Sequence, residues 1–312
     1  MNGVDGADGV NGVDGVDGPA PVPRARPDPT AFLRRGRQPI GVSLGVIGVD
    51  ADWWLESARR LETAGYAGIW AWDHFMGRGA APTNVLECWT MLALAAGRTE
   101  RVTVGSFVTN VMNRHPAVLA RMVGTLQVAT GGRAVLGIGI GGHEAEHEAY
   151  GIDFPAAPER VARLEEALAV IRGLWGGGPV SRPSPFYPLV NAVARPVPEP
   201  PPPIVVGGET PAGARLAARL GDGWTGFSDR FVELEPLYRE ALEAAGRRRE
   251  DMAVVLGIQG GWSAGDSLRA SPWVEQPLEE LDRWRAAGAD GVVVQARTPA
   301  DVNALVRAAE RW

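Results

Sequence analysis

From Ile40 onward the chain alternates between two hydrophobic periodicities. Short, nearly continuous apolar runs occur at 40–46, 67–72, 102–108, 134–139, 203–207, 223–227, 252–258 and 291–295. Runs of that length and composition predict strands buried on both faces, as in a parallel sheet. Between them, apolar residues recur three and four apart, most clearly at 51–64, 84–97, 116–130, 158–175, 210–220, 230–245, 277–287 and 299–311. Those stretches predict crossover helices. Eight strand–helix pairs in roughly 270 residues fit an α/β fold of the closed (β/α)8 TIM-barrel type better than an open doubly wound sheet. Two stretches break the alternation. Residues 176–203 carry ten prolines and no helical period, and 259–276 form a loop containing Gly, Ser and Trp. Both are expected near the barrel mouth, where long connections shape a pocket.

The first 39 residues follow neither pattern. Residues 1–18 are six triplets ending in glycine, and 19–39 are rich in proline and arginine. The triplets have the collagen period but lack its proline, and repeated aspartate with little hydrophobicity predicts a flexible tail. The expected organisation is therefore a disordered tail over 1–39 and one barrel domain over 40–312. Phe32-Leu33-Arg34-Arg35-Gly36-Arg37 has some likeness to a twin-arginine export signal, but the apolar run after it reads as the first core strand. A cytoplasmic location is expected.

Composition narrows the chemistry. A net charge of −6 without a long basic patch argues against nucleic-acid binding. No segment reaches the roughly 20 apolar residues of a membrane span. With one cysteine, Cys88, neither an intramolecular disulfide nor a cysteine-built metal cage can form. All 31 basic residues are arginine, so chemistries that need a lysine amine, such as Schiff-base aldolases, pyridoxal-phosphate enzymes and Walker-type phosphate loops, are excluded.

Candidate chemistry clusters at strand ends, where barrel enzymes keep it. Asp73 and His74 close the second strand; His74 is either a proton carrier near neutral pH or a loop cap. Trp70 and Trp72 share one face and either wall a flat ring or pack the core. Ser106, Phe107 and Val108 close the third strand, and Asn110 in the next loop meets either a polar cofactor edge or its own backbone. His115-Pro116 reads as a helix start. Gly137-Ile138-Gly139-Ile140-Gly141-Gly142 formally matches G-x-G-x-x-G, but it follows the fourth strand; glycine there suits a ring or phosphate lying close to backbone. His143-Glu144-Ala145-Glu146-His147 formally matches H-E-x-x-H, with Glu144 as base and Glu166 as a third ligand in a zinc reading. The flanking barrel disfavours that reading, so no metal is expected, with His143 lining the mouth and His147 packing its helix. Gly207-Gly208-Glu209-Thr210 joins a buried strand to a capped helix start, which suits an anion or is a plain turn.

Trp72-Asp73-His74-Phe75, the block from Arg114 to Gly142, Glu148 to Phe154 with Arg160 and Leu164 to Leu168, and Pro202 to Gly208 through Asp222-Gly223-Trp224 together resemble the bacterial luciferase-like family of flavin- and deazaflavin-dependent oxidoreductases. The resemblance runs from about Ile40 to the C-terminus and implies a TIM barrel holding FMN or coenzyme F420 at its mouth. Asp73-His74-Phe75 looks like the F420-using branch. The resemblance places His74 beside the reactive carbon and puts Ser106-Phe107 at a non-proline cis peptide. It sets Gly139, Ile140, Gly141, Gly207 and Gly208 against the coenzyme. Where sugar-phosphate dehydrogenases of this branch carry a glutamate acid, this chain has Gly142, which leaves His74, His143 or Glu144 as proton donor.

The expectation is an oxidoreductase exchanging a hydride between coenzyme F420 and a small organic substrate. His74 would manage the proton, Asp73 would support it, and Trp72 and Phe107 would shape the ring site. The alternatives are an FMN-dependent monooxygenase using reduced flavin and oxygen, a flavin-binding barrel without turnover, and, last, a zinc hydrolase. A homodimer and a separate reductase supplying reduced cofactor accompany the first two readings.

Overall fold

The computed structural model describes residues 28–77, 83–259 and 268–312. A one-turn 3-10 helix, Ala31–Arg34, precedes β1 (Ile40–Leu44), α1 (Ala51–Ala64), β2 (Gly68–Ala71), α2 (Cys88–Ala96), β3 (Thr103–Ser106) and the two-residue β4 (Thr109–Asn110). Then come α3 (Pro116–Ala129), β5 (Ala134–Gly139), α4 (Glu144–Tyr150) and α5 (Ala157–Trp175). A hairpin of β6 (Val180–Arg182) and β7 (Leu189–Ala192) leads into β8 (Ile204–Gly207), α6 (Pro211–Leu220), β9 (Gly223–Phe227), α7 (Ser228–Ala244) and β10 (Ala253–Ile258). Next are α8 (Pro272–Glu275), α9 (Pro277–Ala286), β11 (Gly291–Ala296) and α10 (Pro299–Ala308).

Strands β1, β2, β3, β5, β8, β9, β10 and β11 pair in parallel in that order, and β11 closes on β1. These are the eight strands that the apolar runs predict, and the expected (β/α)8 barrel is the observed one. Alternation explains why the runs looked continuous. On β10, Val254, Leu256 and Ile258 pack outward against helices, while Ala253 and Val255 face the barrel interior. Both faces are dry, so both select apolar residues.

The interior is filled by Trp70, which is 2% exposed. A Cβ at Gly105 would lie 2.5 Å from its ring, and one at Gly41 or Gly68 would collide with its indole nitrogen. Three neighbouring strand positions thus give up their side chains to one tryptophan, which settles Trp70 as core. Phe107 packs edge-on above it, centroids 5.7 Å apart.

The expected boundary at residue 39 needs correction. Phe32 and Leu33 are each 4% exposed and sit in the barrel's interior cluster. The Phe32 ring meets Trp70 edge-on at 6.0 Å, and Thr103 Oγ1 donates to the Phe32 carbonyl at 2.8 Å. Burying each of these two side chains stabilises the barrel by about 1.5–3 kcal/mol. Apolar residues flanked by arginines read as a linker in sequence, but they close the end of the barrel opposite the mouth. Arg35 and Arg37 fix this segment by donating to the carbonyls of Gly132, Ala64 and Ala309.

The proline-rich stretch lies along α3 and α5. Gln127 Nε2 donates to the Pro200 carbonyl and Arg182 pairs with Glu166, while Tyr187 reaches the start of α3 and meets the His115 ring edge-on. Residues 1–27 of the tail and 260–267 of the second loop lie outside the described residues. Among the described residues, no helix is long and apolar enough to cross a membrane.

Candidate active site at the barrel mouth

The loop after β2 carries Trp72, Asp73 and His74, and α4 packs down on it. His74 Nδ1 lies 3.1 Å from Glu146 Oε2, and the Met76 amide donates to the same oxygen at 3.4 Å. One helical turn further along α4, the Tyr150 hydroxyl donates to the Phe75 carbonyl at 2.9 Å. Positions i and i+4 share a helix face, so Glu146 and Tyr150 together clamp the loop. The Glu146 side chain is 2% exposed and that of His74 is 32% exposed. Burial works against ionising Glu146, but the His74 hydrogen bond and charge and the Phe75 and Met76 amides outweigh it, so the carboxyl is held below its usual range. The His74 ring stands edge-on to Trp72 at 6.5 Å and to His143 at 6.0 Å.

Asp73 does not support His74, contrary to expectation. Its side chain is fully buried and takes both guanidinium nitrogens of Arg114, at 2.6 and 2.8 Å. It also accepts from the Asn110 amide at 3.1 Å and from Asn113 Nδ2 at 3.3 Å. Arg114 additionally pairs with Glu87, the residue capping α2. Asp73 thus points away from its neighbour and into the seam between the β2 and β3 loops. The supporting carboxylate, Glu146, is an unnamed position inside H-E-x-x-H, and its only sequence signal was acidity one turn into a helix at the mouth.

The other candidates divide by what their side chains already hold. Ser106 is fully buried, and its hydroxyl donates to the Gly137 carbonyl at 2.7 Å, so it ties β3 to β5. The non-proline cis bond joins Phe107 to Val108, one residue later than the resemblance implied. Through Phe107 the chain is still in the ladder, since the Phe107 amide donates to the Ala71 carbonyl at 2.8 Å. Val108 is half-buried, and its isopropyl group would lie 3.1 Å from a Cβ at Gly139 and 3.2 Å from one at Gly207, while a Cβ at Gly137 would strike the Ser106 carbonyl at 2.0 Å. Contacts within the protein, rather than a ligand alone, account for those glycines. Gly141 has φ +74, and a Cβ there would lie 2.6 Å from the Asn110 amide. Among the described residues, a Cβ at Gly142 would meet nothing within 4 Å. Gly208 packs against the Gly213 backbone at the start of α6, and its carbonyl accepts from Trp224 Nε1 at 2.9 Å. Thr210 caps that helix through the Gly213 amide at 3.1 Å. Glu209 adds a carboxylate to the corner proposed for an anion, so any contribution there comes from backbone. The Ile140 carbonyl accepts from Arg160 Nε at 3.1 Å.

Asn110 is committed to the protein. Its Oδ1 accepts from the Met112 amide at 3.0 Å, which orients Nδ2 toward His147 Nε2 at 2.7 Å. That nitrogen must then be the bare one, which makes His147 a neutral imidazole. Burial pushes its pKa down, with Arg160 adding to the effect and Glu146 opposing it. His147 is 1% exposed and packs on Phe154 at 4.5 Å. The H-E-x-x-H pair therefore splits: His147 faces the core, while His143 joins His74. His115 caps α3, accepting from the Ala117 amide at 3.2 Å.

Among the described residues, the buried hydroxyls of Ser43 and Thr225 have no hydrogen-bond partner. Both alternate with residues packed outward on β1 and β9, so both face the interior. The mouth thus combines the aromatic rings of Trp72, His74 and His143 with the Val108 side chain and a few buried polar atoms. Such a donor set fits a ring system with a polar edge, as a flavin or deazaflavin has.

A closed parallel barrel with aromatic and titratable side chains at its C-terminal face is the architecture in which TIM-barrel enzymes keep their chemistry. The chain belongs to the luciferase-like monooxygenase family, whose sequence profile matches residues 37–266. It is similar to an F420-dependent glucose-6-phosphate dehydrogenase of Microbacterium testaceum, at 36% identity over 208 residues, covering 64% of this chain and 60% of that protein. A phthiodiolone/phenolphthiodiolone dimycocerosates ketoreductase of Mycobacterium bovis is 39% identical over 210 residues, covering 62% of this chain and 51% of the relative. The matches thus span between half and two-thirds of these relatives' length. Among solved structures, an F420-dependent secondary alcohol dehydrogenase bound to an F420-acetone adduct shares the fold. Its TM-score is 0.77 at 22% identity, over 87% of this chain and 97% of that one.

Proposed function

We propose that this chain exchanges a hydride between coenzyme F420 and a small organic substrate. The observation that carries the proposal is His74, half-exposed at the mouth and held at Nδ1 by the buried Glu146 carboxylate. That arrangement leaves Nε2 as the atom that takes a proton from the substrate heteroatom or returns it. Glu146 orients the ring and fixes its tautomer. A bound deazaflavin supplies a carbon that accepts or gives the hydride, and it lacks the nitrogen used for oxygen activation. Trp72, Phe107, Val108, Gly139 and Gly141 would hold its ring; Ser43 and Thr225 would meet its polar edge; and the backbone at Gly207, Gly208 and Glu209 would meet its anionic portion. Ile140 and His143 complete the rim. Ser106 and Asn110 act behind that wall, as does Asp73. The F420-dependent relatives support this reading. Gly142, in the place of a glutamate, favours a substrate other than a sugar phosphate. The family's description keeps a second reading, in which reduced FMN serves a monooxygenase. A homodimer and a separate reductase fit either reading.

Titrating the purified protein with F420 and with FMN, each oxidised and reduced, tests the proposal. Micromolar F420 binding with much weaker FMN binding is expected, and His74→Ala should keep F420 while losing turnover. Preference for reduced FMN refutes the deazaflavin reading, and full turnover by His74→Ala refutes the role of His74.

A further inference from the structure

His74, His143 and Glu146 bring three metal-ligating atoms to within 4.8 Å of one another. His74 Nδ1 lies 3.1 Å and His143 Nδ1 3.5 Å from the same oxygen, Glu146 Oε2. Around a tetrahedral zinc with bonds of about 2.0–2.1 Å, neighbouring ligand atoms are about 3.4 Å apart. The two separations to Glu146 Oε2 bracket that value, and the two imidazoles lie within 4.8 Å of each other, so side-chain adjustment alone would bring the three atoms around one ion. His143 Nδ1 is shielded from solvent and, among the described residues, makes no hydrogen bond, its nearest polar neighbour being the Glu146 carboxylate. The ligands come from two rigidly joined pieces, the loop after β2 and the first turn of α4, and the Tyr150–Phe75 hydrogen bond locks one to the other. Two imidazoles and one carboxylate suit zinc, cobalt or nickel rather than magnesium or calcium, which prefer oxygen cages. Three protein ligands leave the fourth position open.

We propose that His74, His143 and Glu146 form a site for one transition-metal dication, best suited to zinc, and that metal binding there excludes proton transfer by His74. The metal takes the Nδ1 lone pair of each imidazole. The Nδ1 proton of His74 moves to Nε2, or, if the ring was an imidazolium, one proton leaves to solvent. A metal-bound imidazole cannot become an imidazolium, so zinc acts as an off-switch at the mouth. The site differs from the H-E-x-x-H reading of the sequence, because His147 takes no part in it.

Cobalt(II) added to the metal-free full-length protein, without coenzyme, tests this directly. Tetrahedral cobalt gives an intense visible absorption, and competition against a chromogenic chelator gives the zinc affinity. One equivalent of cobalt, displaced by one of zinc, is expected. Loss of a direct ligand costs at least as much as loss of a supporting group, so Glu146→Gln and His143→Ala should each bind about tenfold more weakly or worse. His115→Ala, which removes the one histidine outside the α4 region and the β2 loop, should bind like the parent. Circular dichroism confirms folding of each variant. Absence of stoichiometric binding, equal affinity in all four proteins, or loss of binding in His115→Ala overturns the proposal. None of these outcomes depends on the coenzyme, so the F420 titration stands or falls separately.

Discussion

Substituting Asp73 separates a structural carboxylate from a catalytic one. The Asp73 side chain is fully buried, and its partner Arg114 is 12% exposed. Asp73→Asn keeps the volume but sets an amide N–H2 against guanidinium donors that point at it. It also leaves Arg114 paired only with Glu87, which is 37% exposed. Removing one partner of a buried ion pair costs about 3–5 kcal/mol. For a domain of this size, 1 kcal/mol moves the melting temperature by roughly 2–4 °C. Asp73→Asn should therefore melt about 10 °C below the parent. Arg114→Met, which strands Asp73, should lose a similar amount. Their combination should lose less than the sum, with a coupling of about 1–3 kcal/mol. Urea denaturation followed by circular dichroism measures all three. A loss under about 1 kcal/mol for Asp73→Asn, or strict additivity, would refute the assignment of this pair as the lock between the β2 and β3 loops.

Adjacent glycines should respond oppositely. Gly142→Ala enters open space and should leave the urea midpoint unchanged or raise stability by about 0.4–1 kcal/mol, whereas Gly141→Ala combines a left-handed φ with a clash on Asn110 and should lower it. Gly105→Ala drives a methyl into the Trp70 ring and should cost about 1–3 kcal/mol, read from the same denaturation curves. His147 has a folded pKa below its ordinary 6.5. Protonation therefore favours the unfolded chain. Its contribution to stability is complete above that pH and is lost as pH falls below it. His147→Gln, which can still accept from Asn110, should flatten stability between pH 7 and pH 5. An unchanged slope in that variant would show that another group titrates. Glu146 cannot mimic the effect, since its contribution is present above the carboxylate range and lost only as pH falls through it.

The barrel was legible because its strands are dry on both sides. Val254 and Val255 face different partners, yet hydropathy treats them alike, so the strand is visible even where its register is not. The 3-10 segment at Phe32 and Leu33 was not legible. Its two apolar residues sit among arginines and prolines, and only the closed barrel creates the hole they fill. The mouth was half legible. His74 announces itself by residue type at a strand end, but which carboxylate serves it depends on how α4 docks. Sequence proximity pointed to Asp73, and the fold delivers Glu146 from 72 residues away. Gly139 and Gly207 show the same limit. Their absent side chains were visible, but that Val108 fills the gap required the bend after Phe107.

The filled bottom of the barrel has a kinetic corollary. With Trp70 across the interior and Phe32 and Leu33 behind it, a coenzyme and a substrate bound as proposed would both enter from the mouth. Whatever seats deeper must arrive first and depart last, because a later arrival stands over it. On the proposed reading, two reactants using such a vestibule would follow a compulsory order of entry. Product inhibition patterns should reveal that order, with the outer molecule competing for a form of the protein that already carries the inner one.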